Sequence, residues 1–147
     1  MKKYNYPEQK NSLVEDSLSK YNSEKDFTTL DAWRKARIVK LFFYNKIIPA
    51  LPLEEKYNLN LQIRKAGVSA TANISEGYGR FHYQEGIQFY RVSRGSLYEL
   101  KDHLITCFDL SFIDTTIFEE CIGFIEDAKV TLNGYINFVK SKKENPK

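Results

Sequence analysis

Cysteine is scarce in this chain, with two residues, Cys107 and Cys121, among 147. They do not form a Cys-x-x-Cys pair, so neither a zinc knuckle nor a thioredoxin-like redox site can be read from them. Both fall at apolar positions of helical patterns and read as reduced core residues; a disulfide between them is the alternative that a secreted protein would carry. Histidine is as rare, with only His82 and His103. No Glu-x-x-His occurs, so the ligand pattern of a di-metal carboxylate bundle is missing. Glu99, His103 and Glu76 alone are too few ligands for a metal. There is no Gly-x-Ser-x-Gly elbow and no phosphate-cradling Gly-x-x-x-x-Gly-Lys loop. No apolar run approaches the ~20 residues of a membrane span. The opening MKKYNYPEQK has no apolar segment behind its lysines, as a secretory signal would need. These absences lead us to expect a cytoplasmic protein with no metal, no cofactor and no catalytic residues.

What is present is the material of one soluble domain. Hydrophobic residues make up 42% and charged residues 28%, and ten Tyr with ten Phe are enough for a sizeable core. The net charge of +3 is unevenly spread. Residues 1–26 balance five lysines against five acids. Residues 27–65 set eight Lys and Arg against three acids, net +5, and the two later stretches, 66–110 and 111–147, are each −1. A basic excess on one segment is the footprint of a polyanion surface, or simply a solvated helix face.

The stretch from Gln62 to Leu100 organises the rest. It holds two helical patterns rich in small residues, joined by a Gly/aromatic turn. Residues 1–26 have few apolar anchors and read as a polar tail or weak helix, and 141–147 as a frayed polar end. The bundle should span 27–140. Helix 1 should begin near Thr29–Asp31, whose side chains can cap it, and stop near Ile48 ahead of Pro49 and Pro52. Trp33, Ala36, Val39, Phe43 and Ile47 form one stripe, while Ile38, Leu41 and Phe42 lie on the other side. A single bundle is expected to cover only one of these, leaving the other for a neighbouring subunit or for solvent. Leu53, Tyr57 and Leu59 should plug the bundle end.

Helix 2, from about Asn60 to Gly77, has one face of Leu59, Ile63, Ala66, Ala70, Asn73, Ile74 and Gly77. Its opposite face is Leu61, Val68, Ala72 and Ser75, again thin enough for close approach of a neighbour. Gly77 or Gly79 should take the left-handed conformation that ends it. Helix 3, about Gln84 to Leu110, carries Ser93 and Ser96 in an otherwise apolar stripe. Helix 4, about Thr115 to Lys140, is capped by Asp114 or Thr115. Short connections and the absence of any strand-period segment give an all-α, antiparallel up-down-up-down four-helix bundle.

Two constellations bear on chemistry. Asn73 lies on the core face of helix 2 and Ser96 on that of helix 3, so a direct Asn73–Ser96 contact is expected, with Glu76 or Glu99 bonding backbone or arginine nearby. Such a network would fix helix register rather than react. A nucleophilic Ser69, Ser93 or Ser96 with His103 as base is disfavoured, since His103 lies two turns beyond Ser96 and no oxyanion site accompanies them. Serines that bond helix backbone are the plainer reading.

The helix 2–turn–helix 3 residues resemble a family of four-helix-bundle proteins encoded within intervening sequences of bacterial 23S rRNA genes. The resemblance rests on Leu59, Gln62, Arg64-Lys65-Ala66 and Ser69, followed by Asn73-Ile74-Ser75-Glu76-Gly77-Tyr78-Gly79-Arg80. A second motif is Gly95-Ser96-Leu97-Tyr98-Glu99-Leu100, and an aromatic start is Phe27, Leu30 and Trp33. Departures are Gly67 for a usual alanine and Ala70-Thr71 for a more apolar pair. The resemblance implies a homo-oligomer, a pentameric ring, and no established enzyme activity. The family is also similar to the accessory variability determinant protein of diversity-generating retroelements, a basic pentamer that acts with reverse transcriptase and nucleic acid.

Three functions are therefore carried forward. The first is a non-enzymatic oligomer that binds RNA or DNA backbone, with Arg34, Lys35, Arg37, Lys40, Arg64, Lys65 and Arg80 as contacts. The second is a scaffold that holds a protein such as a polymerase or reverse transcriptase. The third is a small hydrolase using Glu76, Glu99 and His103.

Overall fold

The computed structural model describes residues 26–144. Of the expected tails, 1–25 and 145–147 lie outside the described residues. Four long helices carry the fold: α1 Asp31–Phe42, α2 Leu59–Gly79, α3 Tyr83–Asp109 and α4 Thr115–Glu144. No strand occurs among the described residues. α4 runs past the expected end at Lys140 into the segment read as a frayed tail.

The helices pack through one core of small and branched side chains. Between α1 and α2, the Lys40 ammonium donates to the Thr71 hydroxyl at 3.0 Å, and the Arg64 guanidinium lies over the Tyr44 ring. Between α2 and α3, the Ser93 hydroxyl donates to the Ala70 carbonyl at 2.6 Å. Between α3 and α4, Phe108 stacks on Phe118, and Lys101 pairs with Glu126 at 2.7 Å. Between α1 and α4, Phe42 meets Phe124 edge-on at 5.5 Å.

That last contact corrects the expectation for helix 1. Phe42 is only 1% exposed, because α2 and α4 of the same chain cover α1 from two sides. The wheel also fails here for a local reason. Phe43–Ile47 form a wider π-turn, and both Phe42 and Phe43 turn inward across it. Ile48–Ala50 then close in a 3-10 turn with proline at its start, as the two prolines imply. The outer face of α2 is different: Leu61 and Val68 stay exposed, Val68 to 51%.

Three further details depart from expectation. The residue before α1 is Leu30, which makes no side-chain cap; Asp26 instead accepts the Thr28 amide at 2.9 Å and caps the short turn Phe27–Thr29. Leu59 is buried, but Leu53 and Tyr57 are 80% and 82% exposed and plug nothing. They sit on a connector whose role is polar: Glu55 accepts the Leu59 amide at 3.2 Å and holds the start of α2. No glycine has a positive φ; Phe81 takes the left-handed conformation after α2, at φ 54°. Gly77 serves packing instead, since a Cβ there would lie 2.7 Å from Tyr90 Cε1 and 3.0 Å from the Gly86 carbonyl. At the other end, Asp114 accepts the Ile117 amide at 2.9 Å and caps α4.

Candidate nucleic-acid interface

α1 and α2 bring three cations to one seam. Lys40 and Gly67 are in contact, with Lys40 Cγ 3.4 Å from where a Gly67 Cβ would stand. The lysine stem passes Gly67 at a distance that a Cβ would just allow, and its ammonium reaches Thr71. Tyr44, one turn on, lies beside the same glycine and under the Arg64 guanidinium, 5.0 Å from its centroid. Arg64 Nε also donates to Asn60 Oδ1 at 2.7 Å, which fixes the plane of its fork. Arg37, one turn before Lys40, lies over the Trp33 ring at 5.7 Å.

The electrostatics of this seam are positive. Burial lowers the Lys40 pKa below 10.5, and the neighbouring Arg37 charge lowers it further.

The other candidate residues fall elsewhere. Arg34 Nε donates to the Thr28 carbonyl at 2.9 Å, at the head of the same helix. Lys35 lies across α1 from Arg37 and is bonded to Asp127 at 3.0 Å and Thr131 at 2.9 Å, so its charge is matched by α4. Lys65 is exposed on the outer side of α2. Arg80 is about 24 Å along the helix from Arg64 at 1.5 Å per residue; there it pairs with Glu76 at 3.1 Å and covers the Phe89 ring.

The expected polar network is present in altered form. Asn73 Nδ2 donates to the Ser69 carbonyl and hydroxyl, both at 2.9 Å, and the Ser96 hydroxyl donates to Ser69 at 2.7 Å. Ser69 is thus the link between Asn73 and Ser96. The two acids stand apart from it: Glu76 holds Arg80, and Glu99 meets His103 at 3.3 Å. Ser93 gives its proton to backbone of α2, not to a base. Cys107 and Cys121 are buried and free; burial pushes the Cys107 thiol to about 11 and raises Cys121 as well, so both are protonated at neutral pH. Among the described residues no three His, Cys, Asp or Glu side chains gather where a metal could be held.

The sequence reading missed Thr71 and Tyr44, which hold two of the cations in place. The spacing of Gly67, Thr71 and Tyr44 against Lys40 only acquires meaning once the two helices are in register.

A family model for the 23S rRNA-intervening sequence protein matches residues 28–134. The chain belongs to that family. The match spans the α1/α2 seam and the Ser69-centred network, and stops inside α4 at Gly134. No curated protein matches the chain. Among the described residues no helix is long and apolar enough to cross a membrane.

Proposed function

We propose that this member of the intervening-sequence family is a non-enzymatic, cytoplasmic homo-oligomer that binds the phosphate backbone of RNA or DNA along the α1/α2 seam. The observation that carries the reading is Lys40, partly buried beside the Arg37 charge, with Arg64 on the Tyr44 ring across the same pair of helices. Thr71 holds the Lys40 ammonium and the Tyr44 ring holds the Arg64 guanidinium. Arg34 and Lys65 add positive charge on the same two helices outside the seam, and Lys35 is matched by Asp127. Phosphate contacts of this kind position a nucleic acid without reading its sequence.

The residue pairings between helices support an antiparallel up-down-up-down bundle: Lys40 with Thr71, Ser93 with Ala70, Lys101 with Glu126. The exposed outer face of α2, Leu61 and Val68, supports association of several copies, a pentameric ring in this reading. A ring repeats the seam once per subunit, so modest contacts add as avidity.

Arg37→Ala with Arg64→Ala should weaken binding of a labelled RNA by tenfold or more at low salt, while Lys35→Ala leaves it near wild type. Equal loss in both variants would remove the seam as the interface.

A further inference from the structure

At the end of the bundle where α3 begins and α4 finishes, the turn after α2 leaves a hollow of about 280 Å³. Its walls are mainly aromatic, with Tyr78, Phe81, Tyr83, Tyr90, Tyr135 and Phe138 around it. The Tyr90 and Tyr135 hydroxyls meet at 3.4 Å, and Lys142 and His82 complete the lining. A second cleft, of about 450 Å³, carries Arg91, Lys140 and Lys143 with Gln84 and Gln88. It shares the start of α3 and the end of α4 with the hollow. Among the described residues no carboxylate lines either one.

We infer that the aromatic hollow takes one unstacked nucleobase of a single-stranded nucleic acid, whose adjoining phosphates lie on Lys142 and the neighbouring cationic cleft. Three observations converge on that ligand. Flat rings are available for stacking at the surface: Phe81 is 88% exposed, and Phe138 lies parallel to Tyr135 with a 24° interplanar angle. The hydroxyl pair, the imidazole and the ammonium supply donors and acceptors for a base edge. The described rim carries Arg91, Lys140, Lys142 and Lys143, a cationic edge that suits a phosphodiester. The volume lies just below the range of drug-sized sites, room for one base and its sugar. A duplex keeps its bases stacked and cannot enter, so only a strand end, loop or flipped base fits.

The backbone agrees. Phe81 holds a left-handed φ that a bulky side chain disfavours, while the glycine two residues earlier does not adopt it. Strain kept at an exposed aromatic residue is characteristic of a site where that ring is used. Burial and the mutual hydrogen bond raise the Tyr90 pKa, so its hydroxyl stays protonated.

The inference rests on the nucleic-acid reading in the ligand class alone; the residues are different, and all of α4's share lies beyond Gly134. Binding of a labelled single-stranded RNA and of a blunt duplex of equal length is measured on the full chain. Phe81→Gly and Phe138→Ser should each lower single-strand affinity by about tenfold, the loss of one stacking contact, with duplex affinity unchanged. Phe81→Gly should also raise the thermal midpoint, because glycine accepts the left-handed φ, so a fold defect is not the cause. Arg37→Ala with Arg64→Ala should weaken both ligands. If Phe81→Gly and Phe138→Ser bind the strand as wild type does, the hollow is not a base site while the seam reading stands. If uridine or adenosine monophosphate binds as tightly as the strand, the hollow is a free-nucleotide site and the strand reading falls. If wild type binds neither RNA, both readings fail.

Discussion

Lys40 is the residue on which charge and packing meet. Its stem crosses Gly67, its ammonium holds Thr71, and its pKa is lowered by burial first and by Arg37 second. The sign of the consequence is fixed. Below 10.5 the unfolded chain binds a proton at this lysine more readily than the folded one, so this group's contribution to stability rises with pH through that alkaline window. The buried cysteines act oppositely: their raised pKa values make the unfolded chain lose protons first, and stability falls above the ordinary thiol range. Lys40→Met should isolate the lysine. The stability gain between neutral and alkaline pH, read by denaturant midpoint, should be smaller in the variant than in wild type; an identical pH profile would show that Lys40 is not desolvated. A phosphate beside Lys40 would hold its proton, so nucleic-acid binding should weaken as pH rises through the lowered pKa. A second residue-scale test concerns Ser111, which ends α3 at φ 61° with the Phe112 amide on the Cys107 carbonyl at 2.9 Å. This is the left-handed helix stop that glycine accepts without steric cost. Ser111→Gly should raise stability by about 1 kcal/mol in a denaturant titration, and a loss would contradict the assigned backbone.

At the scale of elements, α2 and α3 approach closely because glycine meets glycine. Gly77→Ala would place its Cβ 2.9 Å from Phe89 Cβ and against Tyr90, whose ring is packed on Tyr135 of α4. A loss of roughly 1–3 kcal/mol is expected, measured by thermal or denaturant unfolding; an unchanged midpoint would mean that the helices separate there at little cost. Much of this level was legible in the residues. Period-3.6 stripes, Pro49, Asp114 and the Gly/aromatic turn locate four helices to within a few residues, because each signal acts within one or two turns. What was not legible depends on register between helices. The π-turn at Phe43–Ile47 has no sequence mark, and only the placement of α4 puts Phe42 inside, against Phe124. Ser69 could be identified as the link between Asn73 and Ser96 only after α2 and α3 were aligned. For the same reason, charge alone grouped Lys35 with Arg37, while the fold puts Asp127 beside it. The aromatic hollow escaped notice because Phe138 and Lys142 are distant in sequence from Phe81.

For the whole molecule, the core closes within one chain around α1 but leaves Leu61 and Val68 outside. Self-association through that face predicts that Val68→Glu lowers the molar mass seen by light scattering to that of one chain, and a wild-type protein that is already monomeric would contradict it. The function stands or falls on the seam. The most direct measurement is the slope of log affinity for a labelled RNA against log salt concentration, for wild type and for a variant with Arg37, Lys40 and Arg64 all changed to glutamine. Counterion release at three phosphates corresponds to a slope difference of about 2 for a single strand and about 2.7 for a duplex. The account predicts a steep wild-type slope that becomes shallower by about that amount in the variant. Affinity independent of salt, or a variant with the wild-type slope, would contradict it.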